Sequence, residues 1–262
     1  FSTMRQLQAA EAANKDIETK AAIADAGYKQ LTDLSQEILA LSITSVVLPD
    51  GTEVTNNQHI LEWVRNCPTT RMIYIGSSSE YGLLNRAANE TDRINPIDIY
   101  QATKGAASLL CQGYSRYYKL QIAVARIYSG YGAYERERRL YPTLYRASFK
   151  NQPMTLRDGV HDFIYINDFL RGIDMLLAKE WPWGEIVNFG SGQQTTNLEV
   201  LEVWNRVVGH DSPIEYVPGY SKHYDTNIWC CDTSHAQSQY GFKTEYNLED
   251  GIRDLIRIKN VK

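Results

Sequence analysis

Tyr100 and Lys104 stand four residues apart in the run Tyr100-Gln101-Ala102-Thr103-Lys104, a spacing that puts both side chains on one face of a helix. A phenol with an ordinary pKa of about 10 is a poor acid or base at neutral pH. An ammonium beside it favours the phenolate and makes it a usable proton donor and acceptor. Lys104 is also long enough to reach a ribose hydroxyl of a bound dinucleotide. Upstream, an apolar run ends in Gly76-Ser77-Ser78-Ser79-Glu80-Tyr81-Gly82. A hydroxyl at a strand's carboxyl end can hydrogen-bond a substrate carbonyl or hydroxyl next to a proton-exchanging tyrosine. Each feature has an ordinary use as well: a Tyr/Lys pair recurs by chance, and a Ser/Gly loop turns the chain. Their order, strand then serine cluster then helix with the pair then strand, is what points to chemistry.

The elements that would carry these residues follow from the apolar pattern. Residues 4–39 are rich in Ala, Gln, Glu and Lys and read as one or two helices, broken near Gly27. Residues 42–48 read as a short buried strand stopped by the turn residues Pro49-Asp50-Gly51. Residues 57–66 have helical spacing, 71–75 form a second buried strand, 100–119 a helix and 121–127 a third strand. This alternation predicts a parallel sheet with helices on both faces. Ligands of such sheets lie beyond the carboxyl ends of the strands, which marks 76–82 and 128–132. The second half differs: 131–151 is rich in Arg and Tyr, and short strands at 154–156 and 163–166 precede a helix at 167–178. A strand at 186–189 leads to Gly190-Ser191-Gly192, and helices at 197–208 and 248–258 flank an irregular aromatic stretch.

Composition narrows the function classes. Over 262 residues, 43% hydrophobic and 22% charged, the net charge is -4, which offers no polyanion-binding signature and argues against a nucleic-acid partner. No stretch is long and apolar enough for a membrane span, and no secretory signal is visible. The four cysteines, Cys67, Cys111, Cys230 and Cys231, form no CxxC pair and are too few for a disulfide scaffold. A reducing cytoplasm is therefore expected, and no metal site.

Six blocks then occur in one consistent order. They are Tyr74-Ile75-Gly76-Ser77-Ser78-Ser79-Glu80-Tyr81-Gly82; Pro96 ahead of the Tyr100/Lys104 run; Arg126-Ile127-Tyr128-Ser129-Gly130-Tyr131-Gly132; His161-Asp162-Phe163-Ile164-Tyr165-Ile166-Asn167-Asp168; Val187-Asn188-Phe189-Gly190-Ser191-Gly192; and Trp229-Cys230-Cys231-Asp232-Thr233-Ser234. On these blocks, residues 43–258 resemble the extended short-chain dehydrogenase/reductase family, in its NAD(P)-dependent nucleotide-sugar epimerase, dehydratase and reductase branch. The resemblance implies a doubly wound parallel sheet (Rossmann-like) with a smaller C-terminal substrate lobe. The implied division is a Rossmann-like dinucleotide-binding part at 1–132, incomplete at its N-terminus, and a nucleotide-sugar lobe at 133–262, with 162–190 returning to the first part.

Carried over residue by residue, the resemblance makes Tyr100 the acid/base, Lys104 its pKa-lowering and ribose-binding partner, and Ser77 the catalytic hydroxyl, with Tyr128 also beside the cofactor. It assigns Ser78, Ser79, Ser129, Arg139, His161, Lys222 and Asp225 to the substrate, with Arg138 near the nucleotide. The bland alternatives are that His161 pairs with Asp162, that Lys222 is a solvated charge and that the arginines line a polar face. Dehydratases of this branch follow the hydroxyl with Asp and Glu; here Ser78 and Ser79 hold those places and Glu80 comes one position late, which argues against a 4,6-dehydratase. The implied activity is a nucleotide-sugar epimerase working with NAD or NADP, with hydride transfer at a sugar carbon, C4 by the resemblance, and a nucleotide-diphosphate sugar as partner. The alternatives are a 4-keto-6-deoxysugar reductase of the same family and, in another class, a cofactor-free structural or sugar-nucleotide-binding relative. The resemblance also implies a homodimer through the helix that bears Tyr100, where 106–110 would suit the contact.

One departure bears on the cofactor. The family holds the dinucleotide's pyrophosphate on a glycine-rich turn, yet only Gly27 and Gly51 precede Gly76 and no GxxGxxG occurs. Either that turn lies outside this sequence, which opens on Phe1, or the protein has lost cofactor binding and kept the fold. The intact Ser77, Tyr100 and Lys104 set favours the first.

Overall fold

The computed structural model describes residues 46–47, 53–54, 57–66, 71–220 and 227–260. The helices expected over 4–39 lie outside the described residues. β1 (Val46–Val47) pairs antiparallel with β2 (Glu53–Val54). The strand expected over 42–48 is thus, among the described residues, a two-residue ribbon that does not join the parallel sheet.

α1 (Asn57–Asn66), β3 (Met72–Ser77), α2 (Ile99–Tyr118) and β4 (Ile122–Ile127) follow the expected order. Next come β5 (Ser129–Tyr131), α3 (Leu140–Lys150), β6 (Met154–Asp158), β7 (Val160–Tyr165) and α4 (Ile166–Leu177). The chain continues through β8 (Glu185–Phe189), β9 (Gln194–Thr196), α5 (Asn197–Val208), β10 (Ile214–Tyr220), α6 (Ser234–Tyr240) and α7 (Leu248–Asn260). β3, β4 and β8 form a parallel sheet with β4 in the middle; β5, β7 and β9 form a second sheet, and β6 pairs parallel with β10.

β4 is buried along its whole length, and its alternate residues feed two separate cores. Ile122 and Val124, with Tyr74, pack against Leu61 and Val64 of α1 and Ala107 and Cys111 of α2. Ala123, Ala125 and Ile127, with Val187 and Phe189 of β8, join the larger core that contains Phe169, Leu176 and Phe242. Helices therefore cover both faces, as a strand buried on both sides requires. α4 approaches β8 closely because residue 172 is glycine: a Cβ there would lie 2.5 Å from Phe189 Cε1.

α5 coincides with its expected bounds, and its ends show why. Thr196 and Glu199 form a reciprocal capping box, and Gly209 closes the helix in the left-handed conformation at φ 81°. β10 and α6 were hidden within the stretch that reads as irregular. β10 leaves Tyr216 and Tyr220 exposed and so shows little inward-outward alternation. α6 has only seven residues, too few for a helical period to stand out. No helix among the described residues is long and apolar enough to cross a membrane.

Candidate active site

Ser77 is the last residue of β3 and opens a single 3-10 turn, Ser78–Tyr81. Its hydroxyl accepts the Ser79 N–H at 3.2 Å and lies 2.8 Å from Ser79 Oγ. Its own N–H donates to Glu80 Oε1 at 2.8 Å, completing a capping box. The sequence presents 76–82 as a Ser/Gly loop; the box makes it a defined corner at the sheet's carboxyl edge, with Ser78 buried and Ser79 half-buried.

Tyr100 lies in the first turn of α2. Asp98 caps that helix by accepting the Gln101 N–H at 2.7 Å, and Gln101 Oε1 in turn accepts the Ile97 N–H at 2.8 Å. This places Tyr100 beside Ser77 at the carboxyl end of β3, with the Arg139 charge near its phenol. The residue is 41% exposed, yet partial burial of its phenol pushes it up to about 12, while the neighbouring Ser77 hydroxyl and the Arg139 charge pull the other way.

Lys104 follows one turn later and is fully buried. Its Nζ donates to the Ile75 carbonyl at 2.6 Å and sits 4.5 Å from the centroid of the Tyr74 ring. Burial pulls its ammonium down to about 7, and the charge of Glu80 opposes that fall. The groups that lower the Tyr100 pKa are Ser77 and Arg139, while the Lys104 ammonium is engaged by the Ile75 carbonyl. A buried ammonium takes the nearest strong acceptor, and that acceptor is the β3 backbone.

Other expected residues divide. Ser129 and His161 meet across β5 and β7, with Ser129 Oγ 3.3 Å from His161 Nδ1. Tyr128 is buried, and its hydroxyl has no hydrogen-bond partner among the described residues. Burial holds that phenol far above its ordinary range, with Cys231, Tyr81, Asp162 and Glu90 as its charged or titratable neighbours. Arg139 caps the start of α3 and is largely exposed, and its Nε donates to Glu135 Oε1 at 3.1 Å. Arg138 is exposed in the same segment. Lys222 and Asp225 lie outside the described residues.

Two carboxyl groups have parts that the motifs did not announce. Asp162 does not pair with His161, its neighbour on the opposite side of β7. It accepts from the Ser191 N–H at 2.7 Å, the Ser191 hydroxyl at 2.6 Å, the Gly192 N–H at 3.0 Å and the Cys231 N–H at 2.9 Å. It thereby ties the turn after β8 to the segment before α6. Glu135, paired with Arg139, keeps its second oxygen buried without a hydrogen-bond partner among the described residues. Burial pushes that carboxyl up to about 7. The i, i+4 spacing of Glu135 and Arg139 was the available signal for it.

Residues 45–190 match the model of the NAD dependent epimerase/dehydratase family. An uncharacterized UDP-glucose epimerase of Bacillus subtilis (strain 168) is 26% identical over 202 residues, covering 76% of this chain and 63% of the relative. The UDP-glucuronate 4-epimerase of Thermodesulfobacterium geofontis (strain OPF15) is 26% identical over 209 residues, covering 78% of this chain and 63% of the relative. The chain thus spans less than two thirds of the length of either relative. Among solved structures, the UDP-glucuronic acid 4-epimerase of Bacillus cereus in complex with UDP-glucuronic acid and NAD superposes with a TM-score of 0.70 at 24% identity, covering 78% of this chain and 66% of that one. The dTDP-glucose 4,6-dehydratase of Bacillus anthracis str. Ames in complex with NAD gives 0.70 at 23%, with the same coverage. These structural likenesses establish the doubly wound, Rossmann-type fold. With more than half of its length matched by the family model, the chain belongs to the NAD dependent epimerase/dehydratase family, within the nucleotide-sugar branch of the extended short-chain dehydrogenases/reductases.

Proposed function

We propose that this chain carries the catalytic residues of an NAD(P)-dependent nucleotide-sugar epimerase that inverts a sugar carbon, C4, through a keto intermediate. The observation that carries the reading is the Ser77 hydroxyl standing beside the Tyr100 phenol at the carboxyl end of β3, while the nearby carboxylate of Glu80 is locked in a buried pair with Arg126 at 2.9 Å. A dehydratase needs free acids beside its hydroxyl. Ser78 and Ser79 have no carboxyl group and Glu80 is sequestered, so proton exchange at one oxygen is the chemistry that this corner supports.

Two groups fit the nicotinamide half of a dinucleotide. Lys104 lies on the Tyr100 face of α2 with its ammonium under the end of β3, and Tyr128 has a buried hydroxyl with no hydrogen-bond partner among the described residues. The pyrophosphate needs a glycine-rich turn at a helix N-terminus, and no GxxGxxG in this sequence supplies one. NAD(P) bound there would supply hydride acceptance from the sugar carbon and hydride return to the opposite face.

Tyr100 Oη accepts the proton of the C4 hydroxyl as that carbon is oxidised and returns it as the carbon is reduced. Ser77 Oγ hydrogen-bonds the same oxygen in both half-reactions. The Arg139 guanidinium favours the phenolate, and Lys104, one turn further along α2, is the residue that would hold the ribose of a bound cofactor. Ser129 and His161 line the sugar, Ser78 and Ser79 the strand corner, and Lys222 and Asp225 take the diphosphate and the nucleoside. The outward face of α2, with Leu109 and Leu110 exposed, is the surface assigned to a homodimer.

A second reading, reduction of a 4-keto-6-deoxysugar, is favoured by one observation. Glu135, a carboxyl pushed up to about 7 and paired with Arg139, supplies the second acid that an accompanying epimerisation would need. Denaturing the purified protein and chromatographing the supernatant separates the readings. Retained NAD supports the self-recycling epimerase, and retained NADPH supports the reductase. Release of neither, together with failure of added NAD and NADP to bind, overturns the enzyme reading.

A further inference from the structure

Glu80 has one partner for each carboxylate oxygen: Oε1 accepts the Ser77 N–H at 2.8 Å, and Oε2 accepts Arg126 Nε–H at 2.9 Å. Both side chains are buried, Glu80 completely and Arg126 to 1% exposure. From Arg126 the bonds continue in one direction. Its Nη1 donates to the Tyr81 hydroxyl at 2.7 Å, Tyr81 donates to Asn188 Oδ1 at 2.8 Å, and Asn188 Nδ2 donates to the Ala88 carbonyl at 3.3 Å. Every donor points the same way, so each bond polarises the next. The series joins the carboxyl ends of β3, β4 and β8. Gly76 makes room for it, because a Cβ there would stand 2.7 Å from Glu80 Oε1 and 3.0 Å from Arg126 Cγ. A buried ion pair is weak evidence for stability, since desolvation offsets much of its attraction. What this one supplies is a fixed seat for the peptide N–H of Ser77.

We propose that Glu80 and Arg126 are positioning residues: their buried pair clamps the Ser77 amide and thereby sets where the Ser77 hydroxyl stands against the Tyr100 phenol. The kinetic consequence rests on the function proposed above; the clamp itself is testable without a substrate.

Two variants of the full chain disturb it differently. Glu80→Gln removes the charge that faces Arg126. Gly76→Ala leaves every polar group in place and pushes Glu80 Oε1 off its seat. In protein labelled with ¹⁵N-serine, the Ser77 amide is assigned by its loss in Ser77→Ala. Its proton is expected to move upfield in both variants, because it no longer faces a carboxylate, and the Tyr100 ¹³Cζ signal is expected to shift with it. Ser191 and Ser148, on other elements, serve as internal references that stay put. A Ser77 amide that is unmoved in both folded variants overturns the proposal. If Glu80→Gln does not fold, Gly76→Ala carries the test alone.

In the epimerase assay, displacement of the reacting hydroxyl is expected to lower kcat by roughly 10- to 100-fold, with KM within about 3-fold. On a Ser77→Ala background the same substitution is expected to lower kcat by no more than about 3-fold further, since the two act through one group. Losses that multiply in full with Ser77→Ala overturn the proposal. A wild-type chain that turns over no nucleotide sugar refutes the functional reading instead, and the Ser77 amide still decides the clamp.

Discussion

Replacing Lys104 with Met should make the protein more stable at neutral pH while removing its activity. The folded chain holds this ammonium fully buried, and burial brings its pKa from 10.5 to about 7. At about 1.4 kcal/mol for each pH unit, the charged form is disfavoured by about 5 kcal/mol relative to the unfolded chain. Methionine fills a similar volume without charge, but it abandons the hydrogen bond to the Ile75 carbonyl, worth about 2 kcal/mol for a charged donor. The net expectation is a gain of about 2–3 kcal/mol at pH 7, or about 5 °C or more in Tm for a chain of this size. The pH dependence has a definite sign. Below pH 7, Lys104 is charged in both states and the whole penalty stands. Between about 7 and 10.5 the unfolded chain binds a proton that the folded chain lacks, so the penalty shrinks by about 1.4 kcal/mol per pH unit as pH rises. Above that range it is gone. Urea unfolding of wild type and Lys104→Met from pH 6 to pH 10 should therefore show a difference that narrows steadily and then reverses. A variant less stable than wild type at pH 7, or a difference independent of pH, would refute the reasoning.

Three further substitutions test separate parts of the account. Tyr100→Phe removes the only proton-exchanging atom assigned to the sugar and should abolish turnover while leaving nucleotide affinity within about 3-fold in a calorimetric titration, because that interaction is made in the transition state. Asp162→Ala frees four donors at once, three of them backbone N–H groups; a loss of about 3 kcal/mol is expected, together with faster proteolysis at 190–192 and 230–232. Gly172→Ala would put a methyl group 2.5 Å from Phe189 Cε1, and the overpacking should lower stability by about 1–3 kcal/mol in the same urea experiment.

Local signals explain which parts could be read from the sequence. α1 and α5 are legible because apolar periodicity and capping residues mark them, down to the Thr196/Glu199 box. The Tyr100/Lys104 spacing and the serine run are equally local, so a candidate set could be picked out from the sequence. Long-range pairings left no such trace. Arg126 reaches Glu80 across 46 residues, and Asp162 reaches Cys231 across 69; nothing in either neighbourhood specifies the partner. Lys104 illustrates the same limit in chemistry. Its spacing placed it on the correct helix face, but its acceptor, the Ile75 carbonyl, is a backbone atom 29 residues away that residue type alone does not reveal. Within the apolar run at 42–48, Val46–Val47 pairs antiparallel with Glu53–Val54, a partner choice that apolar content alone does not specify.

The central claim, a hydride removed from and returned to C4 of the same sugar, is tested most directly with a nucleotide sugar deuterated at C4. UDP-glucose and UDP-glucuronic acid are the trial compounds, supplied with NAD to the purified chain. The account predicts the C4 epimer with deuterium still at C4, no net NADH, and no product from Tyr100→Phe. A 4-keto-6-deoxy product formed with loss of water, or an epimer whose label has exchanged into solvent, would contradict it.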